Sequence, residues 1–204
     1  MYIPSAFAIP DLANIHAVIE RHSFAILVSP PNAELMASHL PLLLDRAAGP
    51  SGTLLGHMAR ANPQWRQAAG QNVLAIFSGP HAYVSPSWYE ARQVVPTWNY
   101  LAVHAYGRLE LIEEPVEVEW LLHRMVATYE SPQPEPWRFD EPADYVERML
   151  KQIVAFRIPV DRLEGKAKLN QNHPEERRQK VAAVLAQRTD DDSQEIARLM
   201  RSAR

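Results

Sequence analysis

One long alternating segment constrains the fold of this chain more than any other part of the sequence. From Asn99 to Ile112, apolar residues recur at every second position. The apolar face carries Leu101, Val103, Ala105, Leu109 and Leu111. The opposite face carries Tyr100, His104, Tyr106 and Arg108. Because side chains alternate between the two faces of a strand, this pattern predicts a long strand with one buried face.

Shorter strand-like segments surround this long strand and follow one another closely. They cover residues 24–29, 35–44, 53–59, 73–77, 81–84 and 153–159, and Pro41 favours an edge or bulge position for the second of them. Helical patterns cover residues 12–22, a short stretch after Asn62-Pro63, and residues 115–129, 143–151, 174–188 and 193–202. Six or seven meandering strands with inserted and appended helices predict an α+β fold built on an antiparallel barrel.

The composition excludes several classes of function. The chain has no cysteine, so disulfides, thiol nucleophiles and cysteine-ligated metals are ruled out. Neither a tight histidine pair nor a glycine-rich phosphate loop is present, and we expect no metal site. The apolar cluster at 40–44 is too short to span a bilayer, and the first residues do not resemble a signal peptide. We therefore expect a soluble, cytoplasmic protein that does not interact with membranes.

The segment LLGHMARANPQW, residues 54–65, is the most informative candidate for a binding site. His57, Arg60, Asn62 and Gln64 follow a short apolar strand, and Trp65 comes directly after them. Hydrogen-bonding side chains are costly to bury without partners, so we expect a polar ligand here, and Arg60 indicates an anionic one. An ordinary strand edge with an ion-paired Arg60 and a capping Asn62 is an equally consistent interpretation.

Two further clusters support a ligand-binding interpretation. In PTWNY, residues 96–100, the rings of Trp98 and Tyr100 are candidates to flank a flat heteroaromatic ring, with Asn99 at its polar edge. The alternative is a pair of aromatic residues packed on the barrel rim. In GKAKLNQNHPEERR, two lysines and two amides precede a predicted helix and can serve an anion, namely Lys166, Lys168, Gln171 and Asn172. The alternative there is a solvated linker with ordinary capping.

Direct DNA binding has little support in the sequence. From Lys166 onward, nine Lys or Arg residues stand against six Asp or Glu residues, which leaves the tail only mildly basic. Asp190, Asp191 and Asp192 lie at the start of the last helix. Three carboxylates there would repel phosphates where a recognition helix has to approach them.

Several long and unusual strings resemble the PaiB-like family of FMN-binding negative transcriptional regulators. They are MYIPSAFA, HLPLLLD, LLGHMARANPQW, VLAIFSGPHAYVSPSWY, VPTWNYLAVHAYGRL and GKAKLNQN, and together they extend over nearly the whole chain. The resemblance implies a split β-barrel like that of pyridoxamine-phosphate oxidases, with peripheral and C-terminal helices. It also implies a homodimer with two FMN sites at the subunit interface. On this basis we expect one FMN-binding domain over residues 1–204, with a helical extension from about residue 174.

The resemblance also implies which residues bind the cofactor. Arg60 and Asn62 fall where this fold binds the flavin phosphate, and His57, Met58, Ala59 and Ala61 line the same strand end. His39, Leu40 and Pro41 are expected near the flavin ring or the ribityl chain. Trp98, Asn99 and Tyr100 are expected to come from the partner subunit.

The C-terminal motif matches the family with one difference. Lys168, Gln171 and Asn172 fit the family's Lys-Leu-Ser-Gln-Asn motif, but Asn170 replaces its serine. A small hydroxyl contact at that position is therefore not available in this chain.

Three functions remain open from the sequence. The family resemblance implies a flavin-responsive regulator, with DNA as its partner. The second is an FMN-dependent oxidoreductase acting on a small molecule, for which His57, His104 or Tyr100 would be the candidate proton donor. The third is a related barrel that binds haem or has lost its cofactor.

Overall fold

The computed structural model describes residues 1–30, 35–139 and 142–202. Its strands are β1 (Phe24–Ser29), β2 (Met36–Pro41), β3 (Leu43–Asp45), β4 (Thr53–Ala59), β5 (Asn72–Val84), β6 (Thr97–Arg108), β7 (Glu110–Ile112) and β8 (Ile153–Lys168). Its α-helices are α1 (Leu12–Arg21), α2 (Gln64–Ala68), α3 (Pro115–Glu130), α4 (Ala143–Leu150), α5 (Glu175–Leu185) and α6 (Asp191–Ser202). Two short 3-10 helices cover Ser5–Phe7 and Pro86–Tyr89.

The strands form one sheet in the order β2-β1-β5-β6-β8-β4-β3, with β7 paired to β8. The pairings with a defined register are all antiparallel. Phe24 lies opposite Pro41 in the β1–β2 pair, and Ala59 lies opposite Ile153 in the β4–β8 pair. The second pair places the end of the LLGHMA segment beside the first residue of β8, and this neighbourhood shapes the candidate site.

The predicted segments at 24–29 and 53–59 are confirmed, whereas the segment at 35–44 forms two strands. The chain leaves β2 after Pro41, and the Leu42 N–H donates to the Ser23 carbonyl (2.9 Å). The predicted strand from Asn99 to Ile112 is also interrupted. There the Leu109 N–H donates to the Gln71 carbonyl (3.0 Å), so β6 ends and β7 begins around this residue.

Three other predicted segments belong to strands that are longer than expected. The segments at 73–77 and 81–84 are a single strand, β5, because Gly79 allows a close approach instead of a turn. A Cβ atom at Gly79 would lie 2.9 Å from Leu101 Cβ. The strand predicted at 153–159 continues to Lys168, so Lys166 and Lys168 lie on a strand and not in a linker.

The chain divides into two compact units. The first unit comprises Met1–Val18, Phe77–His104 and Glu164–Arg204. In its core, α5 and α6 pack with the end of β5 through the buried residues Ala82, Val84, Tyr89, Leu169, Val181, Ala182, Leu185, Ile196, Ala197 and Met200. Asp190 caps α6 by accepting from the Ser193 N–H (2.8 Å). Hydrogen bonds from the Ser193 side chain and from its N–H lower the pKa of Asp190 to about 2.

The second unit comprises Ile19–Ile76 and Ala105–Leu163. Helix α3 covers one face of β3, β4, β7 and β8, and the buried cluster contains Leu43, Leu55, Ile112, Leu121, Met125 and Ala155. Leu121 and Met125 are four residues apart and therefore share one face of the helix. An ion pair between Arg124 and Asp45 (3.0 Å) fixes the same helix to β3. This packing places Met125 against the His57 side chain of β4.

Candidate functional site

The guanidinium of Arg60 is held in a fixed position at the end of β4. Its Nε donates to the Lys151 carbonyl (2.8 Å) and its Nη2 to the Ile153 carbonyl (2.7 Å). Its Nη1 has no hydrogen-bond partner among the described residues, and none of their carboxylates forms an ion pair with it. Arg60 therefore presents a pre-oriented positive charge that remains available to an anion.

A cavity of about 450 Å³ opens beside Arg60 within the second unit. Most of its walls are apolar, with Trp65 and Ile153 among them, but Glu113, Glu147 and Lys151 also line it. Trp65 is fixed there because its Nε1 donates to the Arg60 carbonyl (3.1 Å). The positive charge of Arg60 thus lies at the edge of a largely apolar hollow that also carries charged groups.

The two amides that follow Arg60 find their partners inside the chain. Asn62 donates through Nδ2 to Ser38 Oγ (2.8 Å) and accepts through Oδ1 from the Gln64 N–H (3.0 Å). Gln64 is fully buried and donates to the carbonyls of Leu27 (2.9 Å) and Met36 (3.2 Å). These hydrogen bonds fasten the turn at 60–64 to β1 and β2. Gln64 Oε1 is buried without a hydrogen-bond partner among the described residues.

His57 lines a second, apolar cavity of about 470 Å³ on the α3 side of β4. Its Nδ1 lies 3.4 Å from Met125 Sδ. Pro41, Phe24 and Trp137 form further parts of the wall. Burial lowers the pKa of His57 below its usual value, which keeps the imidazole neutral at neutral pH. An apolar cavity with one neutral imidazole suits a flat, uncharged ring.

The burial of His57 predicts a pH dependence of stability. Because its pKa is lower in the folded than in the unfolded protein, the stabilisation is present above about pH 6.5 and is lost as the pH falls through the folded-state pKa. We expect the variant His57→Gln to lose less stability than the wild type between pH 7.5 and pH 5. Urea unfolding at both pH values measures this difference. Equal losses in the two proteins would show that His57 does not titrate on unfolding.

The other site residues predicted on and next to β2 and β4 differ in how far they are exposed to solvent. His39 is exposed, with its ring 6.2 Å from that of Phe24, and Leu40 is partly buried. Met58 is fully buried, so its side chain faces away from solvent, whereas Ala59 and Ala61 are exposed. In the second unit the structure therefore brings Pro41 and His57 together at one cavity, with Arg60 three residues further along the chain.

Three of the residues predicted on β6 and near the C-terminal motif lie together in the first unit. The Lys168 ammonium donates to the Trp98 carbonyl (2.9 Å) and to Thr97 Oγ1. Desolvation, together with the charge of Lys166, lowers the pKa of Lys168. Tyr100 is on the same face of β6 as Trp98, and its ring centre lies 5.1 Å from Lys166 Nζ.

Asn99 does not share the face of β6 that carries Trp98 and Tyr100. It is fully buried and donates through Nδ2 to Met200 Sδ (3.3 Å). Within the described residues, its Oδ1 has no hydrogen-bond partner. The interpretation of Trp98, Asn99 and Tyr100 as three groups around one ring is therefore wrong, because successive residues of a strand point to opposite faces.

The end of the C-terminal motif closes a turn after β8. Gln171 accepts from the Leu169 N–H (2.7 Å) and donates to the Ala167 carbonyl (2.6 Å), whereas Asn172 is exposed. Asn170 has a left-handed backbone (φ 62°) and donates to the Tyr89 hydroxyl (2.8 Å). An asparagine suits this position because it tolerates the left-handed region better than most residues.

Contacts that the sequence did not reveal complete both sites. The carbonyls of Lys151 and Ile153 orient Arg60, Met125 contacts His57, and Ser38 holds Asn62. Ser38 directly precedes the predicted His39, which is a weak signal, whereas a main-chain carbonyl leaves no signal in a sequence. Met125 lies 68 residues beyond His57 and belongs to an ordinary apolar helix stripe.

Two other kinds of site are absent from residues 1–30, 35–139 and 142–202. No group of three or more His, Asp or Glu side chains in these ranges is arranged to hold a metal ion. None of the helices there is both long enough and apolar enough to cross a bilayer. At the start of α6, Asp190 caps the helix and Asp192 lies 3.2 Å from His81 Nδ1, so carboxylates occupy the end that would approach DNA.

Comparison with known proteins identifies the family and the fold of the chain. Over 202 residues, the chain is 36% identical to "Protease synthase and sporulation protein PAI 2" of Bacillus subtilis, covering 98% of this chain and 96% of that protein. The flavocytochrome Anf3 of Azotobacter vinelandii has the same fold, with a TM-score of 0.62, 15% identity and coverage of 79% of this chain and 69% of that chain. An FAD- and haem-binding protein of Mycobacterium smegmatis aligns with a TM-score of 0.52 and 12% identity, covering 76% and 70% of the two chains.

The fold prediction is confirmed: the chain has an antiparallel split-barrel fold with added helices. A family model described as "Putative FMN-binding domain" matches residues 1–162. With this match and the similarity to the Bacillus protein, the chain belongs to the PaiB-like FMN-binding family.

Proposed function

We propose that this protein binds FMN, with the phosphate at Arg60 and the flavin ring in the apolar cavity beside His57. The observation that carries the proposal is the fixed guanidinium of Arg60 at the end of β4. Its Nη1 has no hydrogen-bond partner among the described residues and can donate to a ligand. The family model that matches most of the chain supports FMN as the flavin. The names of the two structural relatives also refer to redox cofactors. The Azotobacter protein is a flavocytochrome, and the Mycobacterium protein binds FAD and haem.

The residues present fit the two ends of FMN. A phosphate needs a positively charged donor, which Arg60 supplies. An isoalloxazine ring needs an apolar slot, and Pro41, Phe24 and Trp137 line one beside His57. β4 ends at Ala59, two residues beyond His57, and Arg60 begins the turn that follows. The residue beside the ring cavity and the residue proposed to bind the phosphate are therefore close to each other along the chain.

Each residue has a distinct task in this proposal. Arg60 binds the phosphate, and Asn62 positions the turn that carries Arg60 by holding it to Ser38. His57, neutral at physiological pH, offers the ring a hydrogen-bonding group without adding charge. When bound, FMN supplies one- or two-electron transfer chemistry.

We include a homodimer in the proposal, with Trp98 reaching the flavin of the second subunit. Phe24 and Trp137, which line the ring cavity, are 66% and 49% exposed, so the cavity leaves apolar surface for another chain to cover. Size-exclusion chromatography with light scattering is expected to give twice the 23.2 kDa of one chain when FMN is bound. A single-chain mass for the FMN-loaded protein would contradict the dimer.

The biological use of the flavin has two candidates. A flavin-dependent regulator is favoured by the similarity to the Bacillus protein, whose name refers to sporulation. An FMN-dependent oxidoreductase is the alternative, for which the cavity beside His57 provides room next to a bound ring. Steady turnover of NAD(P)H with added electron acceptors would favour the oxidoreductase. Salt-sensitive binding to one defined DNA sequence without turnover would favour the regulator.

A comparison of FMN with riboflavin tests the placement of the phosphate. The two molecules share the ring and the ribityl chain, but riboflavin lacks the phosphate. A charge-assisted hydrogen bond contributes about 1.5–3 kcal/mol, so FMN should bind the wild type about 10- to 100-fold more tightly than riboflavin. Fluorescence titration measures both dissociation constants, and equal affinities would exclude a phosphate contact at Arg60.

A further inference from the structure

The first unit contains a second positively charged site that the proposed FMN site does not use. Lys166 and Lys168 are two residues apart on β8, so both side chains lie on the same face of the strand. On β6, the neighbour of β8 in the sheet, Trp98 and Tyr100 share a face in the same way. The two lysines are joined to this part of β6, one by the Tyr100 ring and the other by the Trp98 carbonyl.

The burial of Lys166 is the most unusual feature of this cluster. Only 7% of its surface is exposed, although it carries an ammonium group. Its Nζ donates to the Tyr2 carbonyl (3.0 Å) and lies 5.6 Å and 5.1 Å from the ring centres of Tyr2 and Tyr100. Burying an ammonium is costly unless an anion accompanies it. In the part of the chain that the structure describes, no carboxylate forms an ion pair with Lys166.

Lys168 increases this excess of positive charge. It donates only to neutral oxygens, those of Thr97 and Trp98, and no carboxylate within the described ranges pairs with it. Desolvation, and after it repulsion from Lys166, disfavours its charged form and lowers its pKa. The pKa of the nearby His173 is lowered for related reasons, by desolvation and by the charges of Arg177 and Lys168. An anion bound between the lysines would relieve all of these unfavourable interactions.

We propose that Lys166 and Lys168, together with Tyr100 and Tyr2, form a binding site for an oxyanion of a second ligand, either a carboxylate or a phosphate. This inference rests on the proposed function, because one FMN carries a single phosphate and Arg60 binds it. The ring of Trp98 is not part of this site, because it stands against His81 and Tyr83 (centroid distances 6.0 Å and 5.8 Å) in a hollow that Asp190, Asp191 and Asp192 also line.

Calorimetric titration of the FMN-loaded protein tests this site. Inorganic phosphate and acetate serve as probes, with chloride as the reference salt at constant ionic strength. We expect saturable binding of at least one probe, weakened 10-fold or more by Lys166→Met and by Lys168→Met. Tighter binding of phosphate would indicate a phosphate ester as the ligand, and tighter binding of acetate a carboxylic acid. The matched control is Lys180→Met, because Lys180 is a lysine of α5 that already pairs with Glu90 (2.8 Å) and Glu176 (3.1 Å).

The possible failures of this test are distinguishable. The proposal is overturned if neither probe binds the wild type, or if both lysine variants bind the probes as the wild type does. It is also overturned if the lysine variants lose FMN itself while Arg60→Ala keeps it, because the lysines would then bind the cofactor phosphate. If the wild type binds no FMN, the same titration of the flavin-free protein still decides whether the lysines bind an anion. If Lys166→Met fails to fold, Lys168→Met still tests anion binding, because Lys168 is only partly buried and its replacement should leave the protein folded.

Discussion

Replacing Arg60 by alanine is expected to weaken FMN binding by about 10- to 100-fold, with almost no effect on riboflavin. The variant removes the one guanidinium at the end of β4 that has an uncommitted Nη1. The loss corresponds to a charge-assisted hydrogen bond to the phosphate of about 1.5–3 kcal/mol. Riboflavin has no phosphate and therefore should not detect the change. Fluorescence titrations of both flavins with the wild type and the variant measure the coupling between Arg60 and the phosphate.

The affinity for riboflavin also controls for the structural role of the Arg60 side chain. The side chain holds the carbonyls of Lys151 and Ile153, so its removal loosens the start of β8 as well. If that loosening dominated, both flavins would bind more weakly by the same factor, and the phosphate placement would be contradicted. Arg66→Ala is the matched control, because Arg66 is a nearby exposed arginine that lies over the Trp65 ring (4.5 Å). We expect it to bind FMN as the wild type does.

The substitution Gly107→Ala is expected to cause a large loss of stability. A Cβ atom at this position of β6 would lie 2.1 Å from the Pro159 carbonyl oxygen and 2.8 Å from Ile158 Cγ2. A main-chain oxygen inside a sheet cannot move away without disturbing the ladder. We therefore expect a loss near the upper end of overpacking effects, about 3 kcal/mol, which lowers the Tm by about 6–12 °C. Thermal unfolding followed by circular dichroism measures this.

Gly49→Ala separates the steric effect from the general effect of replacing a glycine. Gly49 has a φ of +86°, but a Cβ there would have no heavy atom within 4 Å. Only the left-handed backbone disfavours alanine at that position, at a cost of about 1 kcal/mol. A Tm for Gly107→Ala no lower than that of Gly49→Ala would contradict the close packing of β6 on β8.

The strands that could be predicted are those in which the hydrophobic pattern and the strand hydrogen bonds begin and end at the same residues. Segments 24–29 and 53–59 have apolar runs with turn residues on both sides, and the structure has the same bounds. The interruption at Leu109 could not be predicted, because its alternation continues through the position at which Gln71 captures its N–H. The break predicted between the segments at 73–77 and 81–84, around Gly79, is wrong for a similar reason. A sequence does not show that the glycine is needed for contact with Leu101.

The candidate site was predictable in its polar residues but not in how their hydrogen bonds are distributed. Arg60, Asn62 and Gln64 are equally polar in the sequence, yet only Arg60 keeps a donor group without a partner among the described residues. The difference arises from main-chain carbonyls of β1, β2 and β8. Every residue has such a carbonyl, so the sequence does not show which of them will accept a hydrogen bond. The same holds for Lys166, whose burial depends on Tyr2 at the start of the chain and Tyr100 on β6.

Co-purification and titration with FMN test the central claim most directly. We expect the wild-type protein to bind one FMN per chain, with a shifted flavin absorption spectrum and quenched flavin fluorescence, and to retain the flavin through gel filtration. Riboflavin should elute largely free under the same conditions. If FMN elutes free with an unchanged spectrum at every protein concentration, the chain does not bind FMN, and the proposed site at Arg60 and His57 is contradicted.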